Sequence, residues 1–147
     1  QGLINLKLSK ITIISRNQNS SNELITNFKN DIKIKSLLNT DIETDDLIQE
    51  TDLIINTTPV GMNNTKNDDE LPFGKGFWDS IKSNTIIYDL IYNPTPTPLL
   101  KFCDEKGCKT IDGTQMLIAQ GAKSLSFWTN GIEVPFEVMY DAIKRYL

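Results

Sequence analysis

Short runs of β-branched residues alternate with longer segments of helical period along this chain of 147 residues. The alternation is typical of an α/β protein with a parallel sheet, because each helix carries the chain back to the start of the next strand. The predicted strands are Lys10–Ser15, Lys33–Leu37, Asp52–Asn56, Asn84–Tyr88 and Lys109–Ile111. The predicted helices are Asn19–Asn30, Asp45–Glu50, Pro98–Lys106, Thr114–Thr129 and Pro135–Leu147.

The charge and the apolar runs exclude two classes of partner. Fifteen basic against 19 acidic side chains leave a formal net charge of −4. Nucleic acids and anionic membranes both require a basic surface, so neither is expected as a partner. The apolar runs also fall far short of the roughly 18 residues that span a membrane.

The chain contains no histidine. Imidazole bases and histidine-ligated metal sites are therefore excluded, and we expect no metal centre. Acid–base chemistry is left to Asp, Glu, Lys or Tyr, or to groups outside the chain. The spacing of Cys103 and Cys108 fits neither a redox pair nor a zinc knuckle. It indicates reduced packing residues in a cytoplasmic protein.

The sequence lacks a glycine-rich phosphate-binding turn. Sheets that bind dinucleotides carry Gly-x-Gly-x-x-Gly after their first strand, so that the pyrophosphate lies on a helix N-terminus. The close pair Gly74 and Gly76 follows no strand and is predicted to be an ordinary turn. If Lys10–Ser15 is the second strand of such a sheet, the glycine turn falls before Gln1, and Gln1–Leu8 ends the helix after it. We therefore interpret the chain as a fragment.

The residues after Lys10–Ser15 point to the form of the nucleotide. At this position an acidic residue selects the ribose 2′-hydroxyl, and a basic residue accommodates a 2′-phosphate. The chain has Arg16 and Asn17 here and no acid. This favours NADP over NAD, with a solvated arginine at a strand end as the alternative.

Polar side chains follow the next two predicted strands. Thr57 and Thr58 follow Asn56 at a carboxyl end, where ligands bind in open α/β sheets, although a structural turn fits this segment equally well. Tyr92 leaves the following strand in the same direction. Its phenol either bonds a polar substrate or lies on the surface.

Gln120 is the other polar candidate. It lies among apolar neighbours on the helix that Asp112 and Gly113 begin. A buried amide without partners costs about 1 kcal/mol or more. Gln120 is therefore predicted either to be hydrogen-bonded within the protein or to face a ligand.

Taken together, three segments resemble the C-terminal part of shikimate dehydrogenase. They are Ile55–Met62, Tyr88–Pro94 with Thr97–Leu100, and Asp112–Ala122. The resemblance covers most of residues 10–130 and implies an α/β, Rossmann-like, mostly parallel sheet flanked by helices. It also implies reversible NADPH-dependent reduction of 3-dehydroshikimate to shikimate, on the chorismate route to aromatic amino acids.

The family's site residues carry over to matching positions. Tyr92 and Gln120 match the substrate contacts, while Leu90 and Gly113 match contacts to the nicotinamide side, with Leu90 where many members have Met. The family usually has the sequence Asn-Arg-Thr at the positions of Ser15, Arg16 and Asn17. Slightly downstream, Ser20 replaces a second basic residue that is common in the family. The predicted contacts to the NADP cofactor are Ser15, Arg16, Asn17, Thr57, Thr58, Leu90 and Gly113.

The resemblance implies a domain boundary near residue 111. Residues 1–111 would form an NADP-binding domain that is incomplete before or at its first strand. Residues 112–147 would form helices that return to an N-terminal substrate domain. The family's catalytic Lys and Asp belong to that domain, which this chain does not contain. We therefore expect no catalytic residue in the chain and no activity from the chain alone.

Other functions stay open on the sequence. A quinate/shikimate dehydrogenase shares these motifs. A noncatalytic dinucleotide-binding module could use the same fold to sense a ligand, although such a module has no need of Tyr92 and Gln120 as substrate contacts. The expected partner is a small-molecule substrate, in a cytoplasmic protein that could form a homodimer.

Overall fold

A computed structural model describes residues 3, 8–28, 33–40, 44–63 and 66–144, with the side chains at 44 and 45 left out. The chain divides into two compact units, Gln1–Thr44 and Asp45–Leu147. No helix in these described ranges is long and apolar enough to cross a membrane.

The first unit contains a parallel strand pair with a helix between the strands. Strand β1 is Lys10–Ser15, helix α1 is Gln18–Thr26, and strand β2 is Lys33–Leu38. The register runs from Lys10 opposite Lys33 to Ser15 opposite Leu38. The Asn17 side chain caps α1 by accepting hydrogen bonds from the backbone N–H groups of Asn19 and Ser20.

The second unit contains a parallel three-stranded sheet in the order β3–β4–β5. Its strands are β3 (Leu53–Asn56), β4 (Ile86–Asp89) and β5 (Lys109–Ile111). Its helices are α2 (Thr44–Gln49), α3 (Lys75–Asp79), α4 (Pro98–Glu105), α5 (Thr114–Trp128) and α6 (Phe136–Ile143). Helices in the crossovers let consecutive strands run parallel, which confirms the predicted α/β class.

The apolar core of the second unit joins the sheet to its helices. Ile87 of β4 and Leu99 and Cys103 of α4 are almost completely buried, as is Ile118 of α5. Trp78 of α3 is also buried, and its indole Nε1 donates a hydrogen bond to the Pro72 carbonyl at 2.6 Å. Close packing of these side chains fixes the sheet whose edge carries the candidate site.

Most predicted elements are confirmed to within two residues. The predicted strand Asn84–Tyr88 is displaced, because β4 begins at Ile86 and ends at Asp89. The predicted helix Asn19–Asn30 ends earlier, at Thr26, and its Leu24 is exposed. Residues 29–30 and 145–147, at the predicted ends of two helices, and most of 1–8 lie outside the described residues.

The turn predicted at Gly74 and Gly76 is wrong in part. Gly74 caps α3 with a positive φ of 75°, and Gly76 lies inside that helix. A glycine inside a helix, as at Gly76, disfavours that helix locally. Burial of Phe77 and Trp78 on the same short helix outweighs that preference.

Cys103 should make the stability of the chain depend on alkaline pH. Burial, with a contribution from Cys108, raises the pKa of its thiol from 9.0 to about 12. Below pH 9 the Cys103 thiol is protonated in both the folded and the unfolded chain, so its burial does not make the free energy of unfolding depend on pH there. Above pH 9 the unfolded chain releases the proton first, and the free energy of unfolding falls as the pH rises towards 12.

Urea unfolding at pH 8 and pH 10 measures this fall. A Cys103→Ala variant should show a smaller loss of stability between the two pH values, whatever its absolute stability. Equal losses in both proteins would contradict the assignment to this thiol.

Candidate functional site

Three loops leave one edge of the three-stranded sheet. The register places Asn56 opposite Asp89 and Tyr88 opposite Ile111, so the carboxyl ends of β3, β4 and β5 lie side by side. The backbone N–H of Leu90 extends this pairing by donating to the Asn56 carbonyl at 3.1 Å. Ligands of open α/β sheets bind at such an edge, which is therefore the candidate site.

A buried carboxylate connects the first two loops. Asp89 Oδ1 accepts hydrogen bonds from Asn56 Nδ2 at 3.0 Å and from the Ile91 backbone N–H at 3.2 Å. Asp89 Oδ2 accepts one from Thr97 Oγ1 at 2.7 Å. Asn56, Asp89 and Thr97 are all buried, so these bonds are shielded from competing water.

Burial raises the pKa of the Asp89 carboxyl above its ordinary value. The hydrogen bonds from Thr97, Ile91 and Asn56 oppose this rise, because they stabilise the charged form. Every one of these groups donates and Asp89 accepts, an arrangement that suits a carboxylate rather than a carboxylic acid.

Asn56 and Thr97 extend the cluster into the loops. Asn56 Oδ1 accepts from the backbone N–H of Thr58 at 3.0 Å and from Thr58 Oγ1 at 2.8 Å. Thr97 Oγ1 accepts from the Leu100 backbone N–H at 3.2 Å and so caps α4. The turn after β3, the loop after β4 and the start of α4 therefore share one hydrogen-bond network.

Gly113 brings the third loop against the second. Its backbone N–H donates to the Ile91 carbonyl at 2.9 Å. A Cβ at this position would lie 2.0 Å from the Leu90 carbonyl oxygen. Only glycine allows this close approach of two backbone segments.

Asp112 and Thr114 complete the third loop at the start of α5. Asp112 Oδ1 accepts from the Thr114 backbone N–H at 3.0 Å, and Asp112 Oδ2 accepts from Thr95 Oγ1 at 2.6 Å. Thr114 is itself buried. Within the described part of the chain, its Oγ1 is a buried side-chain polar atom without a hydrogen-bond partner.

Replacing Thr114 by Val should stabilise the chain by about 1 kcal/mol, because the change removes an unpaired buried hydroxyl and keeps the shape of the side chain. Urea unfolding measures the difference. Thr97→Val is the matched control: it removes a hydroxyl that both donates and accepts, so it should destabilise the chain. Destabilisation by both substitutions would show that the Thr114 hydroxyl has a partner.

The second unit brings several predicted site residues to this edge. Thr58 is half-buried and takes part in the network, whereas Thr57 is exposed. Leu90 is half-buried beside Gly113, and Tyr92 is 41% exposed.

Gln120 lies on α5, two turns beyond Gly113, and is exposed. The buried environment considered for it from the sequence is therefore wrong. Met116 and Leu117, one turn earlier on the same side of the helix, are only half-buried, and the adjacent Ala119 is exposed. Its predicted substrate contact stays a prediction.

The first unit holds the other predicted cofactor residues. Ser15 Oγ lies 2.6 Å from Ser21 Oγ and donates to the Asn17 carbonyl at 2.9 Å. Asn17 caps α1, and Arg16 is exposed. Ser15 and Asn17 thus have local structural bonds, and Arg16 is the one of the three that carries a charge.

The sequence reasoning missed the roles of Asn56, Asp89 and Thr97. The motifs place Asp89 and Thr97 in the segments Tyr88–Pro94 and Thr97–Leu100 but predict no hydrogen bond between them. The available signal was an acidic residue at the end of an apolar strand, because a carboxylate in that position needs buried donors. The pairing itself spans 33 residues between Asn56 and Asp89, and local patterns do not report it.

Comparisons with known proteins relate this chain to one family of enzymes. The family model described as the Shikimate 5′-dehydrogenase C-terminal domain matches residues 113–144, which begin at the close-packed glycine. Shikimate dehydrogenase (NADP(+)) of Prochlorococcus marinus subsp. pastoris is 81% identical over 147 residues, which are 100% of this chain and 52% of the relative. The chain belongs to the shikimate dehydrogenase family. It spans about half the length of the curated relatives it matches most extensively.

Solved structures show the same likeness in three dimensions. A shikimate dehydrogenase in complex with NADP+ superposes with a TM-score of 0.72 at 29% identity, covering 95% of this chain and 55% of that one. Shikimate 5-dehydrogenase from Listeria monocytogenes, in complex with shikimate and NAD, gives a TM-score of 0.76 at 30% identity over 92% of this chain and 47% of that one. The α/β, Rossmann-like fold is therefore that of shikimate dehydrogenases.

Proposed function

We propose that this chain supplies the nucleotide-binding part of an NADP-dependent shikimate dehydrogenase, an oxidoreductase acting on a CH–OH group. The reaction is the reversible reduction of 3-dehydroshikimate to shikimate, in the route to aromatic amino acids. The observation that carries the proposal is that the segments matching the family meet at one sheet edge, tied together by the Asp89 network and by Gly113.

The residues at this edge fit a nicotinamide. Leu90 offers a half-buried apolar side chain, and the Thr114 hydroxyl is a buried group without a partner among the described residues. Leu90, Gly113, Thr57 and Thr58 are the residues of this unit that would hold the cofactor. When bound, NADPH supplies the hydride.

The other cofactor residues lie in the first unit. Arg16 would meet the adenine and the 2′-phosphate, since a guanidinium pairs well with phosphate oxygens and no acidic residue stands at Ser15–Asn17 to repel them. Ser15 and Asn17 would act by shaping the turn that presents Arg16. We propose NADP as the cofactor on this basis.

Tyr92 and Gln120 would contact the substrate. Their polar groups are exposed and available for hydrogen bonds to a polyhydroxylated ring. The proton for the new hydroxyl would come from elsewhere, because the carboxylates at this edge, Asp89 and Asp112, accept hydrogen bonds from their neighbours and hold no proton to give. The family's catalytic Lys and Asp, outside this chain, would take that role.

Four expectations stay predictions: the domain boundary near residue 111, the return of residues 112–147 to a substrate domain, the cytoplasmic location and the homodimer. Large exposed apolar side chains on α5 and α6 and in the segment between them support a covered position for residues 112–147. Phe127 is 83% exposed, Trp128 is 74% exposed, and Ile132 and Val138 are also exposed. Such a surface is typical of one that meets another part of a protein.

A chimera provides the assay protein for the proposal. In it, this chain replaces the matching half of the Prochlorococcus marinus relative, with which it aligns along its entire length. Tyr92→Phe in the chimera should raise the KM for shikimate about tenfold, because one hydrogen bond to the substrate is lost. The KM for NADP should change less than about twofold, since the phenol is proposed to contact the substrate and not the nucleotide.

Tyr140→Phe is the matched control. Tyr140 on α6 is 40% exposed, against 41% for Tyr92, and stacks on Phe136 rather than lying at the sheet edge. It should leave both KM values unchanged. Equal effects of the two substitutions, or a Tyr92→Phe variant with wild-type kinetics, would remove Tyr92 from the substrate site.

A further inference from the structure

We propose that Asp89 is the positioning residue of this site: its buried carboxylate sets where the turn after β3, the loop carrying Leu90 and Tyr92, and Gly113 lie relative to one another. The roles of those loops rest on the proposed function. The arrangement of the loops themselves rests only on the hydrogen bonds around Asp89.

The two carboxylate oxygens hold different segments. Oδ1 accepts from Ile91 N–H and from the Asn56 amide, so one oxygen fixes the loop after β4 against the end of β3. Oδ2 accepts from Thr97 Oγ1, which also caps α4. A carboxylate can accept from all these donors at once, whereas an amide would present one donor of its own to them.

Two of the three bonds, those from Ile91 and Asn56, reach a proposed site residue through one further contact. Ile91 lies between Leu90 and Tyr92, and its carbonyl accepts from the Gly113 N–H at 2.9 Å. Asn56 Oδ1 accepts hydrogen bonds from both the backbone N–H and the hydroxyl of Thr58. Movement of the Asp89 carboxylate would therefore shift the proposed substrate side and the proposed nicotinamide side together.

The energetic cost of burying Asp89 supports a positioning role. It is completely buried, and no other Asp, Glu, Lys or Arg of the described residues is buried. A buried charge destabilises a fold unless it is well hydrogen-bonded, and apolar packing often gives equal or greater stability. A carboxylate at this place contributes a defined loop geometry that apolar packing cannot supply, because apolar contacts are not directional.

Kinetics of the chimera test the proposal. Asp89→Ala removes every acceptor and should lower kcat/KM for shikimate at least about tenfold, since a displacement of ~1 Å at a site can cost about 10²-fold. Asp89→Asn should recover most of this loss, because its amide oxygen can still accept from Ile91 and Asn56 while its NH₂ faces Thr97. Ile87→Val, a buried change two residues earlier on β4, controls for loss of stability and should leave kcat/KM unchanged.

A second pair of variants covers the case in which Asp89→Ala does not fold. Thr97→Val removes the donor to Oδ2 and should lower kcat/KM about threefold, whereas Thr97→Ser keeps the hydroxyl and should match the wild type. Wild-type kinetics in folded Asp89→Ala, or in Thr97→Val, would overturn the proposal and leave Asp89 with a structural role only.

Hydrogen exchange gives a readout that does not depend on activity. In the folded Asp89→Ala or Thr97→Val chimera, backbone amides at residues 90–92 and at Gly113 should exchange faster than in the Ile87→Val control. Unchanged exchange at these amides would also overturn the positioning role. A wild-type chimera with no dehydrogenase activity would instead refute the proposed function, and exchange would still decide whether Asp89 sets the loops.

Discussion

Substitution of Gly113 by Ala is expected to destabilise the chain by about 3 kcal/mol or more, a large effect for the addition of one methyl group. The added Cβ would lie 2.0 Å from the Leu90 carbonyl oxygen and 2.5 Å from its carbonyl carbon. These are backbone atoms, so no side-chain rotation relieves the overlap. The loops after β4 and β5 must separate, and the Gly113–Ile91 hydrogen bond is lost with them.

Urea unfolding measures this effect, and Gly76→Ala is its matched control. Gly76 is a helical glycine, and a Cβ there would meet nothing within 4 Å. The control should stabilise the chain by about 0.5–1 kcal/mol, because alanine loses less backbone entropy in a helix. A Gly113→Ala variant as stable as the wild type would show that the two loops do not approach as closely as described.

Helix α4 shows where local sequence was sufficient. Thr97 and Pro98 predict its start, and Gly107 predicts its end, because capping and positive φ are properties of a few adjacent residues. The structure confirms each of these. Thr97 caps the helix by accepting a hydrogen bond from the Leu100 backbone N–H, Pro98 is the first helical residue, and Gly107 has a φ of 79°. The succession of strands along the chain and their parallel direction also followed from local patterns.

Helices α1 and α3 show where local sequence was insufficient. Leu24 is an apolar residue of the predicted helix Asn19–Asn30, yet its side chain is exposed. A single sequence does not specify which apolar side chains find packing partners. Gly76 argued against α3, which forms because Trp78 is buried and its indole has an acceptor in Pro72. Both outcomes depend on tertiary contacts.

The candidate site was likewise predictable from the sequence only in part. The positions of Leu90, Tyr92 and Gly113 after their strands followed from motif order. The network that joins these loops did not, because Asn56, Asp89 and Thr97 meet only when β3 and β4 pair and α4 packs beside them. A buried carboxylate can be recognised from sequence only when its distant donors are known.

In the proposed function, this chain provides the nucleotide side of a reaction whose proton chemistry lies outside it. We expect no measurable reduction of 3-dehydroshikimate by the chain alone. Hydride transfer requires the ketone to be held against the nucleotide, and loss of a general acid alone costs about 10²–10⁴-fold in rate. The chimera, which restores the other half of a relative, should be active and should prefer NADPH to NADH.

The most direct test is therefore the rate of NADPH oxidation with 3-dehydroshikimate, measured for the chimera and for the chain alone at equal concentration. Dehydroquinate and NADH serve as the alternative substrate and nucleotide. We expect turnover of 3-dehydroshikimate with NADPH by the chimera and none by the chain. A chimera that binds NADPH but reduces neither ketone would contradict it and favour a noncatalytic nucleotide-binding module, and activity of the chain alone would contradict the division of roles.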